Sequence, residues 1–154
     1  MSIWQWLLRS IGDMTAIDIR PVRGTRPDVA SGDALLRFAL RADATLCGGL
    51  GLLVAIAADP LSRLSGLSAT AEWMGGAALV AYGVLLFAAA GVAGVRRVGL
   101  GVLAGNVAFA IVVTFVLAAG WVPLTELGVA ATVAFTVVTV AFAYAQYLGV
   151  RRLA

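Results

Sequence analysis

Asp43 is the residue of this sequence best placed to do chemistry. It lies inside the apolar stretch LRFALRADATLCGGLGLLVAIAADP, residues 36–60. A carboxylate at membrane depth with no partner costs several kcal/mol. We therefore expect Asp43 to be protonated, paired with a cation or hydrogen-bonded. A carboxyl group held in this way is either a transport or proton site, or a polar contact that fixes the packing of neighbouring helices.

Four further polar residues are expected near the depth of Asp43. The uncharged part of its stretch, residues 44–58, is shorter than the roughly 20 residues that cross a bilayer, so the span must extend back through two charges. Asn106 lies eight residues beyond Val98, a rise of about 12 Å at 1.5 Å per residue. The last apolar segment returns to the same side. The sequence thus predicts an intramembrane polar cluster of Arg41, Asp43, Asn106, Tyr144 and Gln146.

Most catalytic chemistry is absent from this sequence. It contains no histidine and a single cysteine, Cys47. These absences exclude histidine-based acid and base catalysis, paired-cysteine redox chemistry and most zinc sites within the chain. Cys47 lies in an apolar run and is interpreted as a packing residue. We expect a protein that is not an enzyme and has no resident cofactor or metal, and a bound lipid or quinone is left open.

The composition is that of an integral membrane protein. Of 154 residues, 62% are hydrophobic and 12% are charged, against about 25% charged in a soluble domain. The mean hydropathy is +1.00. The net charge of +3 comes from arginines that flank the apolar segments, so it indicates membrane topology and no nucleic-acid partner.

Four apolar segments are long enough to cross a bilayer. Short connections between them predict an all-α, four-transmembrane-helix antiparallel bundle over residues 35–150, followed by a basic tail at 151–154. The predicted spans are 36–58, 73–94, 98–120 and 124–148.

The arginines predict the orientation of these spans. With the N-terminus inside, only Arg63 lies outside, and Trp73 and Trp121 fall where an outer aromatic belt belongs. Both termini are then cytoplasmic. The arginines on the cytoplasmic side are Arg9, Arg20, Arg23, Arg26, Arg37, Arg41, Arg96, Arg97, Arg151 and Arg152.

Residues 1–14 have the pattern of an amphipathic interfacial helix. We expect it to lie flat on the cytoplasmic leaflet, or else to dock on a neighbouring protein. Residues 15–34 contain proline and glycine without a sustained period and are interpreted as a cytoplasmic linker. The apolar face of the helix consists of Ile3, Trp4, Leu7, Leu8, Ile11 and Met14.

Three sequence runs carry a resemblance to a known group. They are LLRFALRADATLCGGLGLL, ADPLSRLSGL and the closing QYLGVRRL, together with the early asparagine of the third span. This pattern, over residues 35–153, is similar to small four-helix membrane proteins of high-GC bacteria and loosely resembles the DoxX-like group. The resemblance implies a four-helix bundle in a bacterial inner membrane. The quinone-linked oxidation associated with some DoxX-like proteins is not expected, because no redox motif is present.

Two functions of different classes remain after this reasoning. The first is a non-catalytic accessory or interaction subunit, in contact with lipid and with other membrane subunits, within a larger bioenergetic or transport complex. The second is a small homo-oligomeric transporter or channel that uses Asp43 and Asn106 as its polar site.

Overall fold

A computed structural model describes residues 27–153, and the side chains of residues 31–153; within this range all regular secondary structure is helical. Four of the helices are long and apolar enough to cross a membrane, which confirms the all-α class and the number of candidate spans. The amphipathic segment 1–14, most of the predicted linker and Ala154 lie outside the described residues. The helices are α1 (Pro27–Ile56), α2 (Ala58–Ser65), α3 (Ala69–Ala89), α4 (Val95–Ala118) and α5 (Glu126–Arg152).

α1 is longer than the predicted first span. Its described residues start at Pro27, so residues 27–34, which the sequence pattern assigned to the linker, are helical. Asp33 and Arg37, one turn apart, form an ion pair at 2.8 Å. Arg37 also donates to the carbonyl oxygen of Ala90 at 2.7 Å, and so joins α1 to the end of α3, where a cation is favoured.

α2 lies in the stretch that the sequence predicted as the loop between the first two spans. Its Pro60 stands in the first turn, and Gly66, with φ of 88°, ends the helix in the left-handed conformation that favours glycine. The backbone N–H of Thr125 donates to the carbonyl of Ser65 at 2.9 Å. The hydroxyl of Thr125 caps α5 by accepting from the N–H of Gly128 at 3.1 Å. α2 therefore fastens the start of α5.

α1 and α3 approach closely because small residues face each other. A Cβ atom added to Gly51 would lie 2.7 Å from the carbonyl oxygen of Gly76, and one added to Gly83 would lie 2.7 Å from that of Ala44. Side chains at these positions would push the two backbones apart. Close approach through glycine is a common way to pack helices where lipid weakens the hydrophobic driving force.

The four long helices do not pack equally. α1 packs against α3 and α5, and α5 packs against α4, while α3 and α4 barely approach each other. The buried apolar core lies in the first half of α1, at the start of α4 and at the ends of α3 and α5. This arrangement leaves a lateral gap between α3 and α4, beside the middle of α1. The core cluster is Leu36, Leu40, Ala44, Leu86, Ala90, Val95 and Val150.

Candidate functional site

Asp43 lies near the middle of the candidate span Ser31–Ile56 and is 3% exposed. Its Oδ2 atom accepts hydrogen bonds from Nδ2 of Asn106 at 3.1 Å and from Nε2 of Gln146 at 3.0 Å. The carboxylate on α1 is thereby held by amides on α4 and α5. Three of the five residues that the sequence placed in one cluster are in direct contact.

Asn106 is the centre of this network. Its Nδ2 also donates to Oε1 of Gln146 at 3.3 Å, and its Oδ1 accepts from the hydroxyl of Tyr82 on α3 at 3.2 Å. All four long helices therefore contribute a polar side chain. Gln146 is fully buried, whereas Tyr82 is 37% exposed. No buried polar side-chain atom in the described part of the chain lacks a partner, as the low dielectric of such a site requires.

Cys47, one turn beyond Asp43 on α1, completes the contacts of the carboxylate. Its Sγ donates to Oδ1 of Asp43 at 3.4 Å. Asp43 is thus an acceptor in each of its three side-chain contacts. The donors are neutral, and among residues 31–153 the one ion pair between side chains joins Arg37 to Asp33. The cluster therefore gives Asp43 three hydrogen-bond donors and no counter-cation.

Arg41 and Tyr144, also expected in the cluster, lie outside it. Arg41 is exposed and Tyr144 is 63% exposed. Each stands two residues before a cluster member, on α1 and on α5. Two residues of an α-helix turn the side chain by about 200°, so both point away from the faces that carry Asp43 and Gln146. The sequence predicted these two residues in the cluster from their depth in the membrane alone, which says nothing about the direction of their side chains.

Two members of the cluster, Tyr82 and Cys47, were not predicted as site residues. The sequence did contain a signal for each. A tyrosine hydroxyl in the middle of an apolar span needs a partner, and a residue four positions after Asp43 lies on the same helix face.

A cavity of about 200 Å³ opens beside the cluster. It lies where the four long helices meet and where α3 and α4 fail to pack, so its walls come from all four. Tyr82 and Phe109, both more than a third exposed, stand on the two sides of this gap. Asp43 is the one acidic residue of the lining, which is Asp43, Cys47, Leu79, Tyr82, Gly105, Asn106, Phe109, Phe135 and Thr139.

The rest of the cavity wall is largely apolar and aromatic. The rings of Phe109 and Phe135 meet edge to face, with centroids 5.9 Å apart and an interplanar angle of 88°. The hydroxyl of Thr139 donates a hydrogen bond to the carbonyl oxygen of Phe135 at 3.0 Å. Polar character in the cavity is therefore concentrated at the Asp43 and Asn106 end, a combination typical of small-molecule sites.

The described residues contain no group of three or more histidine, cysteine, aspartate or glutamate side chains that could hold a metal ion. No protein-family model matches the chain, and neither a curated protein nor a solved structure shows significant similarity to it. Any functional proposal therefore depends on the geometry of the site.

Proposed function

We propose that the protein is a small membrane transporter that binds its solute beside Asp43. One observation carries the proposal. The Asp43 carboxylate, buried near the middle of a candidate span, forms part of the wall of a cavity and has no basic side chain paired with it in the described part of the chain. An ionisable residue kept at membrane depth is a functional-site hypothesis by default.

A purely structural role explains this arrangement less well. Asn106 and Gln146 already hydrogen-bond each other across α4 and α5, so the packing of these helices does not require a charge. Burial of a carboxylate costs several kcal/mol of desolvation in its charged form, which neutral polar residues avoid. A role in packing also gives no reason for the cavity beside Asp43, whereas a bound solute requires one.

In the proposed topology, the four long helices cross a bacterial inner membrane as an antiparallel bundle. Support comes from the α1 and α3 contacts, which run in opposite directions along the chain: Gly51 lies near Gly76, and Ala44 lies near Gly83. The arginine distribution favours cytoplasmic N- and C-termini. Residues 1–14 would then lie along the inner leaflet as an amphipathic helix.

The accessory-subunit function stays a prediction from the sequence. It depends on the amphipathic segment, which lies outside the described residues, and on exposed apolar helix faces, which lipid covers in any membrane protein. Gentle extraction followed by native-gel separation tests it. A defined larger complex would favour the accessory role, and migration alone or as a homo-oligomer would favour transport.

Solute-evoked currents from reconstituted vesicles on a solid-supported membrane test the transport proposal. We would apply concentration jumps of choline, glycine betaine, glycerol and acetate, which span cationic, zwitterionic, neutral and anionic solutes, and follow uptake of radiolabelled glycerol because it is uncharged. At least one solute should give a signal in the wild type that Asp43→Asn abolishes. Asp59→Asn, the same change at an exposed carboxylate on α2, should retain it. The proposal fails if every signal survives Asp43→Asn or if no solute gives one.

A further inference from the structure

We infer that the solute is a small organic cation of the alkylammonium class, bound between the Asp43 carboxylate and the aromatic side chains of the cavity. This inference rests on the proposed function and adds the chemical class of the ligand.

The charge of the site points to a cation. Oδ2 of Asp43 accepts two amide N–H groups, and Oδ1 accepts only the weak thiol donor of Cys47 at 3.4 Å. Asp43 and its partners Cys47 and Asn106 all line the cavity. A carboxylate at low dielectric attracts a positive charge strongly, and Asp43 has no such partner among the described side chains. A cationic ligand supplies the missing charge.

The lining points to an organic rather than an inorganic cation. Metal cations such as Ca²⁺ require six or more oxygen ligands. This cavity instead offers Leu79, Phe109, Phe135 and the ring of Tyr82 around a single carboxylate. Aromatic rings attract cations through their electron-rich faces, and quaternary ammonium groups are commonly recognised in this way. Transfer of the alkyl groups of such an ion from water into an apolar cavity is also favourable.

The size of the cavity limits the ligand. About 200 Å³ exceeds the roughly 150 Å³ that accommodates a benzene molecule and falls below the roughly 300 Å³ at which drug-sized sites begin. An ammonium ion with a few methyl or ethyl groups fits this range.

A matched pair of probes tests the inference on the purified wild-type protein. Choline carries a trimethylammonium group, and 3,3-dimethylbutan-1-ol has the same shape with carbon in place of the charged nitrogen. Isothermal titration calorimetry in detergent micelles should show saturable binding of choline at least about 30-fold tighter than binding of the alcohol. Equal affinities, or no binding of choline, would overturn the inference.

Two variants locate the binding. Gly105 is an exposed residue of the cavity lining, and a Cβ atom built on it has no heavy atom within 4 Å, so Gly105→Leu adds a side chain at the edge of the cavity and should weaken choline binding. Gly101, one turn earlier on α4, is equally free of neighbours and does not line the cavity, so Gly101→Leu should bind choline as the wild type does. An unchanged affinity for choline in Gly105→Leu would place the cation elsewhere and overturn the assignment.

The two proposals fail in different ways. If a neutral or anionic solute gives a vesicle signal that needs Asp43, while choline neither binds nor evokes a current, the cation inference fails and the transport proposal stands. If choline binds in the cavity but no solute signal depends on Asp43, the ligand class holds and transport fails.

Discussion

The contrast between Asp43→Asn and Asp43→Ala tests whether the carboxylate is kept for its charge or for its contacts. In the wild type, the amide nitrogens of Asn106 and Gln146 lie 3.1 and 3.0 Å from Oδ2 of Asp43. Asparagine at position 43 keeps an oxygen that can accept from both. Alanine removes that acceptor. The two variants therefore separate the loss of charge from the loss of hydrogen bonding at one position.

The magnitudes follow from the contacts. Each buried N–H left without an acceptor costs about 1–3 kcal/mol, so Asp43→Ala should lower the free energy of unfolding by about 2–6 kcal/mol through two orphaned donors. In Asp43→Asn, two charge-assisted hydrogen bonds become neutral ones at a loss of about 1 kcal/mol each. Removal of a buried, unpaired charge offsets this loss. We expect Asp43→Asn to remain within about 2 kcal/mol of the wild type.

Unfolding of the purified protein in mixed detergent and sodium dodecyl sulfate micelles, followed by tryptophan fluorescence, measures both values. Choline binding is measured on the same samples and should be lost in both variants. If Asp43→Asn destabilises the protein as much as Asp43→Ala does, the charge itself holds the helices together and the reasoning is refuted. A cost below about 1 kcal/mol for Asp43→Ala would show that the amides do not depend on this acceptor.

Three further changes test the packing by the same unfolding measurement. Gly83→Val should lower the free energy of unfolding by about 2 kcal/mol or more, because its Cβ meets the α1 backbone. Gly75→Val on the same helix meets no neighbouring atom and should leave that free energy unchanged. Equal effects of the two changes would contradict the close packing. Arg37→Gln should lower the free energy of unfolding by about 1–2 kcal/mol through the lost contact with the end of α3. The exposed control Arg41→Gln should lower it by less than about 0.5 kcal/mol. An unchanged free energy in Arg37→Gln would show that the contact with α3 does not stabilise the protein. Thr125→Ala should cost about 1 kcal/mol as a lost helix cap and Thr125→Ser should recover most of it; no loss in the alanine variant would argue against the cap.

The sequence was informative about depth along the membrane normal. Hydropathy located four candidate spans, and residue counts placed Asp43, Asn106 and Gln146 at one level, where the structure brings them into contact. Both inferences use only the rise per residue of a helix and the thickness of a bilayer. These quantities do not depend on how the helices pack.

Rotation about the helix axis was the harder quantity. Arg41 and Tyr144 have suitable depth but point away from the cluster, whereas Tyr82 and Cys47 face it. Within α1, helical geometry alone distinguishes the two residues: Cys47, four positions after Asp43, shares its helix face, and Arg41, two positions before it, does not. The position of Tyr82 depends on how α3 is rotated about its own axis. Close glycine contacts between α3 and α1 set that rotation, and counting residues along the sequence does not reveal it.

The cavity and the short helix α2 could not be predicted. α2 is eight residues long, too short for a hydrophobic period to be recognised. The cavity exists because α3 and α4 diverge, and the distance between two helices is set by the packing of the whole chain.

Infrared difference spectroscopy on the membrane-reconstituted protein is the most direct test of the central claim that a solute binds beside Asp43. The solute that gives a signal in vesicles is added and removed by perfusion while carboxylate bands are recorded. We expect a shifted carboxylate band in the wild type and in Asp59→Asn that is missing from Asp43→Asn. A solute that perturbs no carboxylate band, or perturbs the same band in Asp43→Asn, would contradict it.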